Sequence, residues 1–263
     1  MPYAETNQGP IFYTLSQIPQ TPKEEREAGI IPSLVLVHGA GGTRLHWPAR
    51  LRRLPDATVY TLDLPGHGRS GVQGGKTIES YANTVASFVR TVGAEQSIIV
   101  GHSMGGAIAL TMALNHSGWV GGLVLIASGA RLRVSPSILA KIGEDFEDSV
   151  ELITRLAWAQ DTPSTLTQRG RDALLETGSD VLWDDLSACD RFDVTGRLEE
   201  ITHPTLVIAG TADQLTPAKY GRFLTKNLPN AQLVLVEGAG HMVMLERPAE
   251  TAKAVQEFVG KQV

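Results

Sequence analysis

The chain has 263 residues, 42% of them hydrophobic, which suffices to bury a sizeable core within one domain. A formal net charge of −5 and the lack of any basic stripe exclude a phosphate-neutralising surface, so nucleic acid is not expected as a partner. Cys189 is the single cysteine, which excludes an intramolecular disulfide and a cysteine-built zinc site. It is expected to be a small buried apolar side chain.

The first residues lack a charged region followed by an apolar one, and no stretch approaches the roughly 18 uncharged apolar residues of a membrane span. The expectations are a cytoplasmic location, no membrane partner, and a monomer or homodimer.

In chain order, residues 10–17 are expected to supply an antiparallel edge hairpin and the charged stretch 21–29 a solvated loop. Short β-branched apolar runs bounded by Gly, Pro or Asp recur at 33–37, 58–62, 97–100, 122–127, 205–209 and 232–236, and read as buried parallel strands. Helical spacing fills the gaps at 78–92, 105–115, 218–227 and 248–260. Such alternation predicts a parallel sheet with helices on both faces. It stops between 129 and 197, where 137–145, 149–159, 165–176 and 181–189 read as helices with no strand among them. The expected organisation is a core of 1–128 and 198–263 with a helical lid inserted at 129–197.

The strand at 97–100 runs into Gly101-His102-Ser103-Met104-Gly105 and then a helical stretch, which fits the G-x-S-x-G nucleophile elbow in its strand-turn-helix setting. A sharp turn there forces Ser103 into a strained conformation, and side chains at 101 and 105 would clash with the neighbouring strand and helix. The serine Oγ then sits at a helix N-terminus, whose N–H groups and dipole favour developing negative charge.

A serine hydroxyl needs a base within hydrogen-bond reach, and the base needs a carboxylate to hold it. Of the seven histidines, His241 alone follows a late strand, and Asp213 lies just past the run at 205–209. The order Ser103, Asp213, His241 is the order expected of an elbow-type hydrolase. The first buried strand ends in His38-Gly39-Ala40-Gly41-Gly42, whose small residues let a carbonyl approach the backbone. The oxyanion hole is therefore assigned to the N–H of Met104 with that of Ala40, or alternatively Gly41. His38 is expected to brace the loop.

These motifs resemble the α/β-hydrolase superfamily over nearly the whole chain: His38-Gly39, Asp63-Leu64-Pro65-Gly66-His67-Gly68-Arg69-Ser70, the elbow, Gly210-Thr211-Ala212-Asp213 and Gly240-His241 stand in family order. The resemblance implies a mostly parallel, doubly wound α/β-hydrolase sheet with a helical lid, and scaffold duty for 63–70. Glu246-Arg247-Pro248 looks like the family's start to the last helix. A serine at 103 departs from the haloalkane dehalogenases and most epoxide hydrolases, which place an aspartate there. Carbon-carbon bond hydrolases usually carry an Asn where this chain has His102, so a carboxylesterase acting on a small-molecule ester is the leading expectation. A carbon-carbon bond hydrolase, lyase or cofactor-free perhydrolase on the same triad, and more remotely a ligand receptor or silent binding module, are the alternatives.

Residues 66–71 satisfy G-x-G-x-x-G, but no helix opens at its end, and Gly75-Lys76-Thr77 lacks the first glycine of a phosphate loop. No histidine and carboxylate spacing suggests a metal, and no cofactor is expected. Within the insertion Phe146, Trp158 and Trp183 are candidates to line an apolar pocket, joined by Leu215 and Met242 beside the triad.

Overall fold

The computed structural model describes residues 2–17, 32–71 and 73–261. The expected loop at 21–29 lies outside the described residues. Among the described residues one sheet of eight strands forms: β1 (Tyr3–Thr6), β2 (Gly9–Gln17), β3 (Ser33–Val37), β4 (Thr58–Leu62), β5 (Ser97–His102), β6 (Val120–Ile126), β7 (Thr205–Gly210) and β8 (Ala231–Val236). The spatial order is β1-β2-β4-β3-β5-β6-β7-β8, with β1 and β2 antiparallel and every pairing from β4 onward parallel. Each strand expected from the sequence is present. The edge hairpin also exists, and its outer strand starts at Tyr3, too early and too short to announce itself by pattern.

Alternation along the strands explains why both faces are covered. Val35 and Val37 point into one apolar layer with Ile99, Leu123 and Leu125. Leu34 and Leu36 point into the other with Ile98, Val124 and Ile126. A strand with apolar residues at both parities must be buried on both sides, and here helices supply the cover.

On the first face lie α2 (Ile78–Thr91) and α3 (Met104–Asn115); on the second lie α1 (Ala49–Arg52) and α10 (Pro248–Val259). Helix α2 begins at Thr77, whose hydroxyl accepts from Ser80 N–H at 3.1 Å while Ser80 Oγ accepts from Thr77 N–H at 3.4 Å. Thr77 thus closes a capping box, the physical role behind its phosphate-loop look. Helix α3 is buried from Met104 through Ala113, because the sheet, α2 and the segment between β6 and β7 surround it.

Between β6 and β7 come α4 (Pro136–Glu144), α5 (Phe146–Ala157), α6 (Ser164–Thr177) and α7 (Ser179–Arg191). Helices α8 (Ala218–Asn227) and α9 (Val243–Glu246) follow β7 and β8. Ile142, Val150 and Leu182 form a small apolar cluster of the insertion's own, and Ala188, Cys189 and Phe192 join the main core.

The ring of Phe88 in α2 is fully buried, with Tyr13 and Tyr60 edge-on at centroid distances of 5.2 and 6.0 Å. Replacing it with alanine removes those contacts and leaves a cavity, so Phe88→Ala should cost about 3–5 kcal/mol in denaturant unfolding. A cost below about 1 kcal/mol would contradict this description of the core.

Candidate active site

The residues singled out for the triad and the oxyanion hole lie at the carboxyl ends of parallel strands: Ala40 after β3, Ser103 after β5, Asp213 after β7 and His241 after β8. Loops at this end of a parallel sheet converge where strand order changes direction. Ser103 has φ 52 and ψ −113, the strained backbone that the elbow motif predicts. Its N–H donates to the Ile126 carbonyl at 2.9 Å, and the Ser103 carbonyl accepts from Ser128 Oγ at 2.8 Å. A Cβ on Gly105 would fall inside contact distance of the Val37 carbonyl, so the helix approaches β3 only because no side chain intervenes.

His241 Nδ1 lies 3.0 Å from Asp213 Oδ2. Asp213 also accepts from Leu215 N–H and Thr216 N–H, both at 2.8 Å, and from Thr216 Oγ1 at 2.7 Å. Burial alone would raise the carboxyl pKa, but the neighbouring His241 and this set of donors outweigh it and hold Asp213 down at about 2. An ionised Asp213 can only accept, which places the proton of His241 on Nδ1 and leaves Nε2 with a free lone pair. Thr216 was not singled out in the sequence, although a threonine three residues after an aspartate, just before Pro217 and a helix, carries an Asx-turn signal.

The Ala40 and Met104 N–H groups have no acceptor among the described backbone hydrogen bonds. Gly41 N–H is already committed to Asp185 Oδ2 at 2.9 Å. Of the two candidates in this loop, Ala40 keeps a free donor and Gly41 does not.

The histidines around the site differ in charge for visible reasons. His38 accepts from Leu64 N–H at Nε2 (3.0 Å) and donates from Nδ1 to the Gly39 carbonyl (2.9 Å), so it is neutral and braces the loop. Burial, and then the nearby His67, hold it well below the ordinary imidazole range. His102 donates from Nε2 to the His241 carbonyl at 3.1 Å, and burial and His241 lower its pKa in the same way. His46, lowered to about 4 by burial and by His67, borders the cavity beside Ser103 and was not singled out in the sequence. His67 is the exception. Burial disfavours its charge, but the Asp185 carboxylate and the Pro65 carbonyl reverse the balance and raise its pKa. Among the described residues no group of three or more His, Cys, Asp or Glu is placed to hold a metal. Among them also, no helix is long and apolar enough to cross a membrane.

Two cavities, of about 100 and 300 Å³, meet at Ala40, Ser103, Leu215 and His241. Trp158 and Met242 line the smaller one; Leu156 and Cys189 line the larger. Trp183 and Phe146 line neither: Trp183 is 45% exposed, and Phe146 packs on Ile142, Val150 and Leu182. Met104 contributes backbone only, its side chain being wholly buried in the core.

Both ring nitrogens of His67 face acceptors, Pro65 O at 2.9 Å and Asp185 Oδ2 at 2.8 Å, so both carry protons. Its stabilising contribution is complete below the unfolded imidazole pKa of about 6.5 and is lost as pH rises through the raised folded value. Nitrogen-15 NMR at pH 6.5 should find His67 as imidazolium, and a neutral ring at that pH would contradict the assignment.

Residues 34–254 match the alpha/beta hydrolase family. A pimeloyl-[acyl-carrier protein] methyl ester esterase of Neisseria meningitidis is 30% identical over 90% of this chain and 98% of its own. One of the same name from Vibrio vulnificus is 29% identical over 88% of this chain and 95% of its own. A solved thermophilic esterase is 36% identical, covers 87% of this chain and 90% of its own, and superposes with a TM-score of 0.79. With the elbow, the sheet order and these likenesses in hand, the chain belongs to the alpha/beta hydrolase family as an esterase-like member.

Proposed function

We propose that this protein is a serine carboxylesterase that cleaves esters of small to medium, largely apolar substrates through an acyl-enzyme on Ser103. The observation that carries this reading is a single one: strained Ser103 and the Asp213-anchored His241 border the same apolar cavities.

In the proposed sequence His241 Nε2 takes the Ser103 proton as Oγ attacks the ester carbonyl, and the Ala40 and Met104 N–H groups hold the oxygen that becomes negative. Protonated His241 passes its proton to the leaving alcohol. Water then enters, gives a proton to His241 and attacks the acyl carbonyl, releasing the acid and restoring Ser103. Asp213 holds the imidazole in the productive tautomer throughout, and Thr216 fixes Asp213.

Ile153, Trp158, Leu182 and Leu186 come from the segment between β6 and β7 and line the smaller cavity, which supports reading 129–197 as a lid on a core of 1–128 and 198–263. The Neisseria and Vibrio relatives are named for methyl esters. A cavity of about 100 Å³ beside one of about 300 Å³ suits an ester with one small and one longer arm. No feature of this site calls for a resident cofactor.

The test is hydrolysis of p-nitrophenyl esters from acetate to palmitate by wild type and Ser103→Ala. Turnover should peak at short or medium acyl chains and fall about a million-fold in the variant. Residual activity above a few per cent removes Ser103 from the nucleophile's role. If no ester is turned over although a fluorophosphonate labels Ser103, the carbon-carbon hydrolase reading replaces this one.

A further inference from the structure

Asp185 is a carboxylate with no solvent exposure, on α7 of the insertion, and the chemistry above makes no use of it. It gathers donors from three separate segments of the core: Gly41 N–H at 2.9 Å and His67 Nε2 at 2.8 Å on Oδ2, and the Tyr81 hydroxyl at 2.7 Å on Oδ1. A buried carboxylate is tolerated only when paired and fully hydrogen-bonded, and here a buried imidazolium and two further donors meet that requirement.

The contact with Gly41 reaches the reaction centre. Gly41 follows Ala40, and both of its polar backbone groups are held by the insertion: the N–H by Asp185, and the carbonyl by Thr177 Oγ1 at 2.8 Å, from the end of α6. Its φ is +61, and a Cβ there would lie 2.7 Å from Leu174 and 3.0 Å from Leu182, both of the insertion. On the other side of Ala40 the Gly39 carbonyl accepts from Gly42 N–H at 3.0 Å and from His38 Nδ1 at 2.9 Å. A peptide is planar and trans, so holding the Gly39 carbonyl from one side sends the Ala40 N–H to the other. The two peptides flanking Ala40 are thus both pinned, one by the core and one by the insertion.

The geometry points to Asp185 as a positioning residue for the proposed ester hydrolysis: by holding Gly41 N–H it aims the Ala40 N–H at the developing oxyanion and makes turnover depend on the docked insertion. Asp185 touches no reacting atom. This inference rests on the Ser103 reading, and its effect falls on transition-state stabilisation more than on substrate binding.

The experiment compares wild type, Asp185→Asn and Thr177→Val on one p-nitrophenyl ester, with an alkyl trifluoromethyl ketone as inhibitor. The ketone adds Ser103 Oγ to its carbonyl and leaves a hemiketal alkoxide in the oxyanion position. Asparagine is isosteric but uncharged: with its amide nitrogen toward Gly41 and His67 it meets two donors, and with that nitrogen toward the Tyr81 hydroxyl, which can accept, it leaves Gly41 N–H and the His67 imidazolium to share one neutral oxygen in place of a carboxylate. Asp185→Asn should lower kcat roughly ten- to a hundred-fold, below the cost of deleting an oxyanion donor outright, with KM little changed. Ketone affinity should fall by the same factor as kcat/KM. Thr177→Val leaves the buried ion pair intact and should lose several-fold with the same proportionality.

A folded Asp185→Asn enzyme, checked by calorimetry, with unchanged kcat and ketone affinity overturns the inference, as does a loss confined to KM. If Asp185→Asn does not fold, Thr177→Val decides: a parallel fall in kcat and ketone affinity supports the assignment, and no change in either refutes it. Ser103→Ala run alongside separates the two levels. If that variant keeps its turnover, the esterase reading fails; if it is inactive while Asp185→Asn is fully active, only the role of Asp185 fails.

Discussion

Everything at this site depends on one tight turn, the passage from β5 into α3 through Ser103. Its cost is a residue held at positive φ, and the fold meets that cost with fixed partners on either side. The Ser103 N–H is tied to β6 through Ile126, its carbonyl is held by Ser128, and α3 is packed down on β3 through Gly105. A turn defined by neighbours on both sides cannot relax without disturbing the centre of the sheet. The strain therefore persists where exposing an Oγ at a helix N-terminus has a use.

The helical segment between β6 and β7 is tied by hydrogen bonds to the loops beside this turn. The Ala157 carbonyl accepts from His241 N–H at 2.9 Å and Met242 N–H at 3.2 Å, while Glu246 receives the N–H of Ala159 and of Gly240, both at 3.1 Å. With Asp185 and Thr177 on the Gly41 loop, the insertion is fastened to the core on two sides of Ser103. Its apolar side chains shape the cavities, and its polar ones fix the backbones that carry His241 and Ala40. In the proposed ester hydrolysis, substrate fit and catalytic geometry would thereby be set by the same segment.

Much of this was legible in the sequence, for local reasons. Strands buried on both faces show as unbroken β-branched runs, the elbow carries its own punctuation, and the order Ser103, Asp213, His241 leaves few ways to assign roles. What escaped was long-range pairing. Asp185 lies 144 residues from Gly41 and 118 from His67, and an aspartate on an amphipathic helix reads as solvated until the helix is docked. That same contact occupies Gly41 N–H and leaves the Ala40 N–H free. Trp183 and Phe146 show the matching difficulty for apolar residues: size marks them as candidates, but only the phase of the docked helix decides which side faces Ser103.

In the proposed reaction Ser103 carries the acyl group between two half-reactions. Intact-protein mass spectrometry answers this most directly, on enzyme mixed with a p-nitrophenyl alkanoate and quenched in acid within the first turnover, followed by peptide mapping. The expected result is a transient mass gain of one acyl group on the peptide containing Ser103, gone once substrate is exhausted. Ester turnover with no adduct at any time, or an adduct on another residue, would contradict it.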